Sequence, residues 1–349
     1  MKQTKKRELP IPDNFDPAQV GEVRRVPYKD IFQEARITAL KYGLEPAAKD
    51  RTRICLMAID VQNTFCLPDF ELFVGGRTGT GAIDDNIRLC EFIYRNLAII
   101  TRIYPTMDTH TAMQIFHQIF WINDQGGCPT GGETIITLDD VEQGVWKVNP
   151  AVAMSIAGGN YLGLQQHALH YVRKLTEGGK YPLMIWPYHA MLGGIGHALV
   201  AAVEEAMFFH NIARNSQTGF EIKGGNPLTE NYSVLRPEVL DGANGQPIAQ
   251  KNTRFIKKLL EFDAVIIAGQ AKSHCVAWTI SDLLDEILVQ DEELAKKVYL
   301  LEDCTSAVVI PGVIDFTTQG DEAFDRFRAA GMNIVKSTDP IADWRGINL

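Results

Sequence analysis

The stretch "IIAGQAKSHCVAW", residues 266 to 278, joins an apolar run to a helical pattern through a small, glycine-containing turn. Its first half has the length and branching of a buried strand, and "AWTISDLLDEIL" beyond it carries a helical period. A strand that feeds a helix across so short a turn is the unit from which parallel sheets are built. Cys275 stands at that turn. There it is either a small core residue, the common fate of a cysteine, or a thiol set at a helix N-terminus.

The same alternation extends in both directions. "ICLMAID" (54–60), "IITRIYPTMD" (99–108), "PLMIWP" (182–187), "DAVIIAGQ" (263–270), "KVYLLED" (297–303) and "MNIVKS" (332–337) have strand character. Helical stretches lie between them, among them "IDDNIRLCEFIYRNLAI" (83–99), "GHALVAAVEEAMFFHNIAR" (196–214) and "DEAFDRFRAAG" (321–331). Strands alternating with helices predict an α/β protein whose parallel sheet is covered on both faces. Residues 1–52 form a proline-punctuated arm with one short helix, and 53–349 form the main domain, with a poorly periodic insertion at about 118–181.

A chain of 349 residues with 46% apolar composition can bury a large core. Its net charge of −9 argues against nucleic acid or an anionic membrane as a partner. No apolar run reaches the ~18 residues of a membrane span, and no apolar segment follows the basic "MKQTKKRE". Six cysteines without a CxxC suit reduced thiols, and we expect a cytoplasmic protein.

In open α/β sheets ligands sit beyond the carboxyl ends of the strands. The first strand ends at Asp60. The second is followed by Asp108, His110 and His117, the third runs into His189, and the fourth delivers Cys275. Taken singly, an acid at a strand end is often a helix N-cap. Together they suggest one rim carrying acid, imidazoles and thiol. Asp108, His110 and His189 would hold zinc, iron or manganese with coordination positions left open, and His117 is either a fourth ligand or a bystander. Cys275 needs a base and a nearby cation to be a nucleophile; Asp60 and Lys223 are the candidates. "HALH" (167–170) looks like a surface helix, while His197 and His210 fall on the long helical stretch.

"DVQNTF" (60–65), "DTH" (108–110), "WPYH" (186–189), "KGGNPLTENYS" (223–233) and "AKSHCVAWT" (271–279) occur in the order of the nicotinamidase branch of the isochorismatase-like cysteine hydrolases. The resemblance covers roughly residues 53 to 340, outside much of 118–181. It implies a doubly wound parallel sheet of about six strands and a triad of Asp60, Lys223 and Cys275. It further implies an oxyanion hole from the N–H groups of Cys275 and Ala271, and a cis bond at Gln270–Ala271. Asp108, His110 and His189 would hold a divalent metal, zinc first, that meets the substrate's ring nitrogen. Phe65, Trp186 and Tyr232 match aromatic pocket positions. The sequence departs from the family at Thr64, at Leu192 and at Lys272-Ser273.

These observations lead us to expect an amidohydrolase, a homo-oligomer, that cleaves a small carboxamide to acid and ammonia through a cysteine thioester. The alternatives are a relative acting on another amide, an N-carbamoyl or a ureido group, and a metal-binding relative without catalysis.

Overall fold

The computed structural model describes residues 8–349, so the basic stretch at 1–7 lies outside the described residues. The chain forms two compact units. The first comprises the described chain through Met107 with Ala198–Glu221 and Thr253–Leu349; the second comprises Asp108–His197 and Ile222–Asn252. Residues 118–181 fall within the second.

Six strands make the principal sheet: β1 (Ile54–Ile59), β2 (Arg102–Asp108), β3 (Glu221–Lys223), β4 (Ala264–Gly269), β5 (Val298–Leu301) and β6 (Asn333–Val335). Their order is β6-β5-β4-β1-β2-β3. The pairings from β6 through to β2 are all parallel. Every residue of β1 and β4 is buried. That is why "ICLMAI" and "AVIIAG" show no polar alternation: a strand covered on both faces has no wet side. Each large aliphatic side chain so enclosed contributes about 1.5–3 kcal/mol.

One expected strand is not in this sheet. Of "PLMIWP" only Leu183–Met184 forms a strand, which pairs antiparallel with Ile135–Ile136, while Trp186 makes an isolated parallel bridge to His117. Pro182 and Pro187 flank the run without N–H groups, so no longer ladder can form there. The short run ending at Lys223 supplies the sixth strand instead.

The longer helices are α1 (Tyr28–Tyr42), α2 (Gly81–Arg95), α3 (Tyr161–Glu177), α4 (Ala201–Arg214), α5 (Ala277–Gln290) and α6 (Thr317–Ala329). In the first unit α1 packs on α4, and α2 packs on α4 as well. Helix α4 starts later than its apolar period suggests. His197 therefore lies in the preceding turn, Ile195–His197, and only His210 is on the helix. In the second unit α3 buries Leu164, His167, Ala168, Tyr171, Val172 and Leu175. "HALH" is thus not a plain surface helix: the His167 Nε2 bonds the Leu228 carbonyl at 2.8 Å. Among the described residues no helix is long and apolar enough to cross a membrane.

The sheet order has one topological switch, between β1 and β4, from which the chain winds outward in opposite directions. Ligands of open α/β sheets bind at the carboxyl edge of such a switch. Asp60 follows β1 and the cysteine turn follows β4.

Candidate active site

In the first unit two chain segments meet at the switch. Asp60 is buried and takes a left-handed backbone, φ 48°, as β1 ends. Its N–H donates to Thr106 Oγ1 at 3.1 Å, and the Thr106 hydroxyl donates back to the Asp60 carboxylate. Thr106 therefore fixes both the turn and the acid. Sequence reasoning missed this residue, although its place in β2, two before Asp108, was a usable signal. Beside it, Gly269 ends β4 with φ 116°, and a Cβ there would stand 2.0 Å from the Ile59 carbonyl oxygen. Only glycine permits that approach. The Gln270 N–H then donates to Ile59 O at 2.8 Å, tying the two strand ends together.

The Gln270–Ala271 peptide is cis, as the resemblance implies. Lys272–Val276 forms a wide π turn that runs on into α5, and Cys275 is buried within it. The N–H groups of His274 and Val276 both donate to the Ala271 carbonyl, at 3.0 and 3.2 Å. No side chain caps this helical start. Its first-turn N–H groups give the region a partial positive charge that favours an anion such as a thiolate. The departures at Lys272 and Ser273 serve the turn itself: Lys272 Nζ pairs with Asp321 at 2.6 Å, and Ser273 Oγ accepts the Val308 N–H at 3.1 Å.

In the second unit Asp108, His110 and His189 are all buried, and one ligand atom from each lies within 4.8 Å of the others. The His110 Nε2 is 2.8 Å from Asp108 Oδ2, and the His189 Nε2 is 3.5 Å from the same oxygen. Both rings are anchored from behind: His110 Nδ1 bonds Gly224 O at 3.1 Å and His189 Nδ1 bonds Pro187 O at 2.8 Å. Those carbonyls accept, so each Nδ1 carries a proton and each ring turns its Nε2 toward Asp108. With both rings neutral, the two Nε2 lone pairs and the carboxylate would converge as donors on a cation placed among them. Donor types, burial and the anchored rings all suit a divalent transition ion.

Charge follows the same geometry. Burial would raise the Asp108 pKa, but His110 and Lys223 outweigh it and hold the carboxyl well below its usual range. Burial likewise opposes a charged His110, yet Asp108 raises its pKa, while burial leaves that of His189 lowered. Lys223, at the end of β3, donates to Asp108 Oδ1 and to the Asn231 carbonyl, each at 2.9 Å. The neighbouring Glu230 is buried, and burial pushes its pKa up to about 7. This acid also went unnoticed; it sits inside the "KGGNPLTENYS" segment, where a polar loop gave no hint of burial.

His117 is not one of the three clustered groups. Its ring centroid lies 5.8 Å from that of His110 and 6.2 Å from that of His189. Its Nδ1 bonds Ala112 O at 3.2 Å, while its buried Nε2 has no hydrogen-bond partner among the described residues. Burial, then His189 and His110, lower its pKa to about 3, so the ring is neutral at physiological pH. Trp186 Nε1 donates to the Tyr232 hydroxyl at 3.1 Å. Phe65 stands half-buried in the first unit.

No protein-family model and no curated protein sequence matches the chain. Solved structures do. A nicotinamidase/pyrazinamidase of Acinetobacter baumanii aligns over 83% of this chain and 99% of its own, with a TM-score of 0.50 and 18% identity. The yeast nicotinamidase Pnc1p bound to nicotinaldehyde aligns over 81% of this chain and 99% of its own, with a TM-score of 0.50 and 17% identity. The chain shares the fold of these two solved structures. Its six-stranded sheet with surrounding helices is the isochorismatase-like architecture that the sequence motifs imply.

Proposed function

We propose that the protein is a metal-dependent amidohydrolase that cleaves a small heteroaromatic carboxamide, of the nicotinamide type, to the acid and ammonia. The observation that carries this reading is the buried Asp108–His110–His189 group, with both imidazoles anchored so that their Nε2 atoms converge. Such a centre can take a ring nitrogen as a ligand, which a heteroaromatic amide offers and a plain aliphatic amide lacks. Both solved structures named above are nicotinamidases, which supports the same substrate class.

Asp60 takes the thiol proton, and the Cys275 sulfur adds to the amide carbonyl carbon. The backbone N–H groups of Cys275 and Ala271 hold the oxyanion. As it collapses, the carbon–nitrogen bond breaks and Asp60 returns the proton to the leaving ammonia. Water then adds to the thioester, Asp60 takes its proton, and the acid leaves as the thiol reforms. Asp108, His110 and His189, with His117 as the proposed fourth donor, would hold a divalent ion, which would supply a Lewis-acidic point for the substrate's ring nitrogen. Lys223 is assigned as the cation of the catalytic set on its sequence motif. Phe65, Trp186 and Tyr232 are proposed to line the aromatic pocket.

The test is ammonia release from nicotinamide, benzamide, an N-carbamoyl amino acid and a substituted urea, each with and without chelator. Nicotinamide should be the best substrate, benzamide should be poor for want of a ring nitrogen, and chelator should narrow the difference. Cys275→Ala should lower turnover by about 10³-fold or more with the fold retained. A Cys275→Ala enzyme that keeps a tenth of the activity would sink the thioester mechanism.

A further inference from the structure

A second pocket lies in the first unit at the opposite edge of the sheet, where strands begin. It is a cavity of about 270 Å³ lined by residues that include Asp50, Arg53, Thr101, Arg102, Ser216 and Phe262. Arg53 immediately precedes β1, Arg102 opens β2, and Phe262 lies two residues before β4. None of these residues belongs to the proposed catalytic machinery.

The charge balance of the pocket is unusual. Arg53 holds its guanidinium 4.8 Å from the Phe262 ring centroid, and Arg102 lies 5.2 Å from the Tyr104 ring centroid. Neither guanidinium forms a hydrogen bond or ion pair with any described residue, and the Arg102 Nε is buried without a partner among them. The acids nearby are already engaged. Both Asp50 carboxylate oxygens accept from Nη2 of the buried Arg214, at 2.7 and 2.8 Å, and Oδ2 also accepts from the Thr101 hydroxyl at 2.8 Å. Asp263 accepts the Arg53 backbone N–H at 2.7 Å. The Ser216 hydroxyl donates to the Thr101 carbonyl at 2.7 Å. Two arginine forks therefore border a cavity whose carboxylate is neutralised by a third arginine.

A guanidinium is weakly hydrated and can stack on an aromatic face while its planar fork stays free to match the oxygens of a phosphate. The cavity is slightly smaller than most small-molecule sites, and Ala47, Ala48 and Phe262 give it an apolar side. We propose that this pocket binds a small phosphomonoester, with the phosphate on Arg53 and Arg102 and a short apolar body against Phe262.

Phenyl phosphate titrated calorimetrically at constant ionic strength is the probe, with benzoate and inorganic phosphate as comparisons. We expect one phenyl phosphate per chain, bound at least tenfold more tightly than either. Arg53→Gln and Arg102→Lys should each weaken it about tenfold, with the circular dichroism spectrum and thermal midpoint unchanged; the lysine variant keeps charge and stem but loses the fork. His189→Ala should bind phenyl phosphate as the wild type does. No saturation by about 10 mM, equal binding by both arginine variants, or binding lost in His189→Ala and kept in Arg53→Gln would each overturn the proposal, the last by moving the ligand to the metal centre.

Discussion

Gly224 shows how tightly the proposed metal ligands are confined. It has φ +87°, and a Cβ there would stand 2.7 Å from Asp108 Oδ1 and 2.8 Å from His110 Cε1. Its carbonyl is also the acceptor that orients His110. Gly224→Ala must therefore displace one ligand or tilt the other, and groups that orient metal-bound imidazoles are typically worth 10–100-fold in affinity. We expect metal affinity to fall by at least about tenfold. Alkylation of Cys275 by iodoacetamide should stay at the wild-type rate, since the atoms nearest a Cβ at Gly224 belong to Asp108 and His110. Metal content after dialysis against graded chelator, measured beside the labelling rate, checks both halves. Undiminished metal content would show that the backbone relaxes around the new methyl group.

At the scale of elements, α4 carries the clearest pH sensor outside the candidate site. His210 is buried on it, its Nε2–H donates to the Ile100 carbonyl at 2.9 Å, and burial lowers its pKa to about 4. In the unfolded chain the ring titrates near its ordinary ~6.5. Between those values the unfolded state binds a proton that the folded state refuses. The stability this histidine supplies is thus complete above about pH 6.5 and is lost as pH falls toward 4, by about 3 kcal/mol in all. Urea midpoints from pH 4 to 7 should show the slope, and His210→Gln should flatten it by most of that amount. A variant with an unchanged slope would clear His210 of responsibility. The elements themselves were unevenly legible in the sequence. Strands β1 and β4 announced themselves because burial on both faces demands an unbroken apolar run. "PLMIWP" misled because apolar content alone does not reveal which backbone partners a segment will find, and its prolines prevent a ladder. The start of α4 was misplaced because apolar residues continue upstream into a turn.

For the whole molecule, the decisive contrast is between ligands near in sequence and those brought together by folding. Asp108 and His110 are two residues apart, but His189 comes from near the other end of the Asp108–His197 segment. A group that exists only in the folded chain stabilises it by mass action when it binds its ion. Elemental analysis of the purified protein should find about one divalent transition ion per chain. Chelation should lower the thermal midpoint and re-addition should restore it, with the gain shrinking below about pH 6 as imidazoles protonate. His117→Ala tests the proposed fourth donor through the same measurement. Thermal midpoints indifferent to both chelator and added zinc, iron or manganese would remove the metal from the proposal.

The sequence by itself determined the alternation of strands and helices, and with it the parallel sheet, because burial and period are written in local residue order. It also put the chemical types on offer in view: Asp60, Cys275 and the DTH pair stand out at strand ends, and His189 and Lys223 through the WPYH and KGGNPLTENYS motifs that carry them. Only the tertiary structure decided how they are held. Thr106 pins Asp60 from a neighbouring strand, Gly269 admits Ile59 at a distance no other residue allows, and carbonyls at Gly224 and Pro187 choose the imidazole tautomers. Glu230 and the unpaired forks of Arg53 and Arg102 were invisible beforehand for the same reason. Whether a charged side chain is buried, paired or left waiting depends on segments remote in the chain, and no local pattern encodes that.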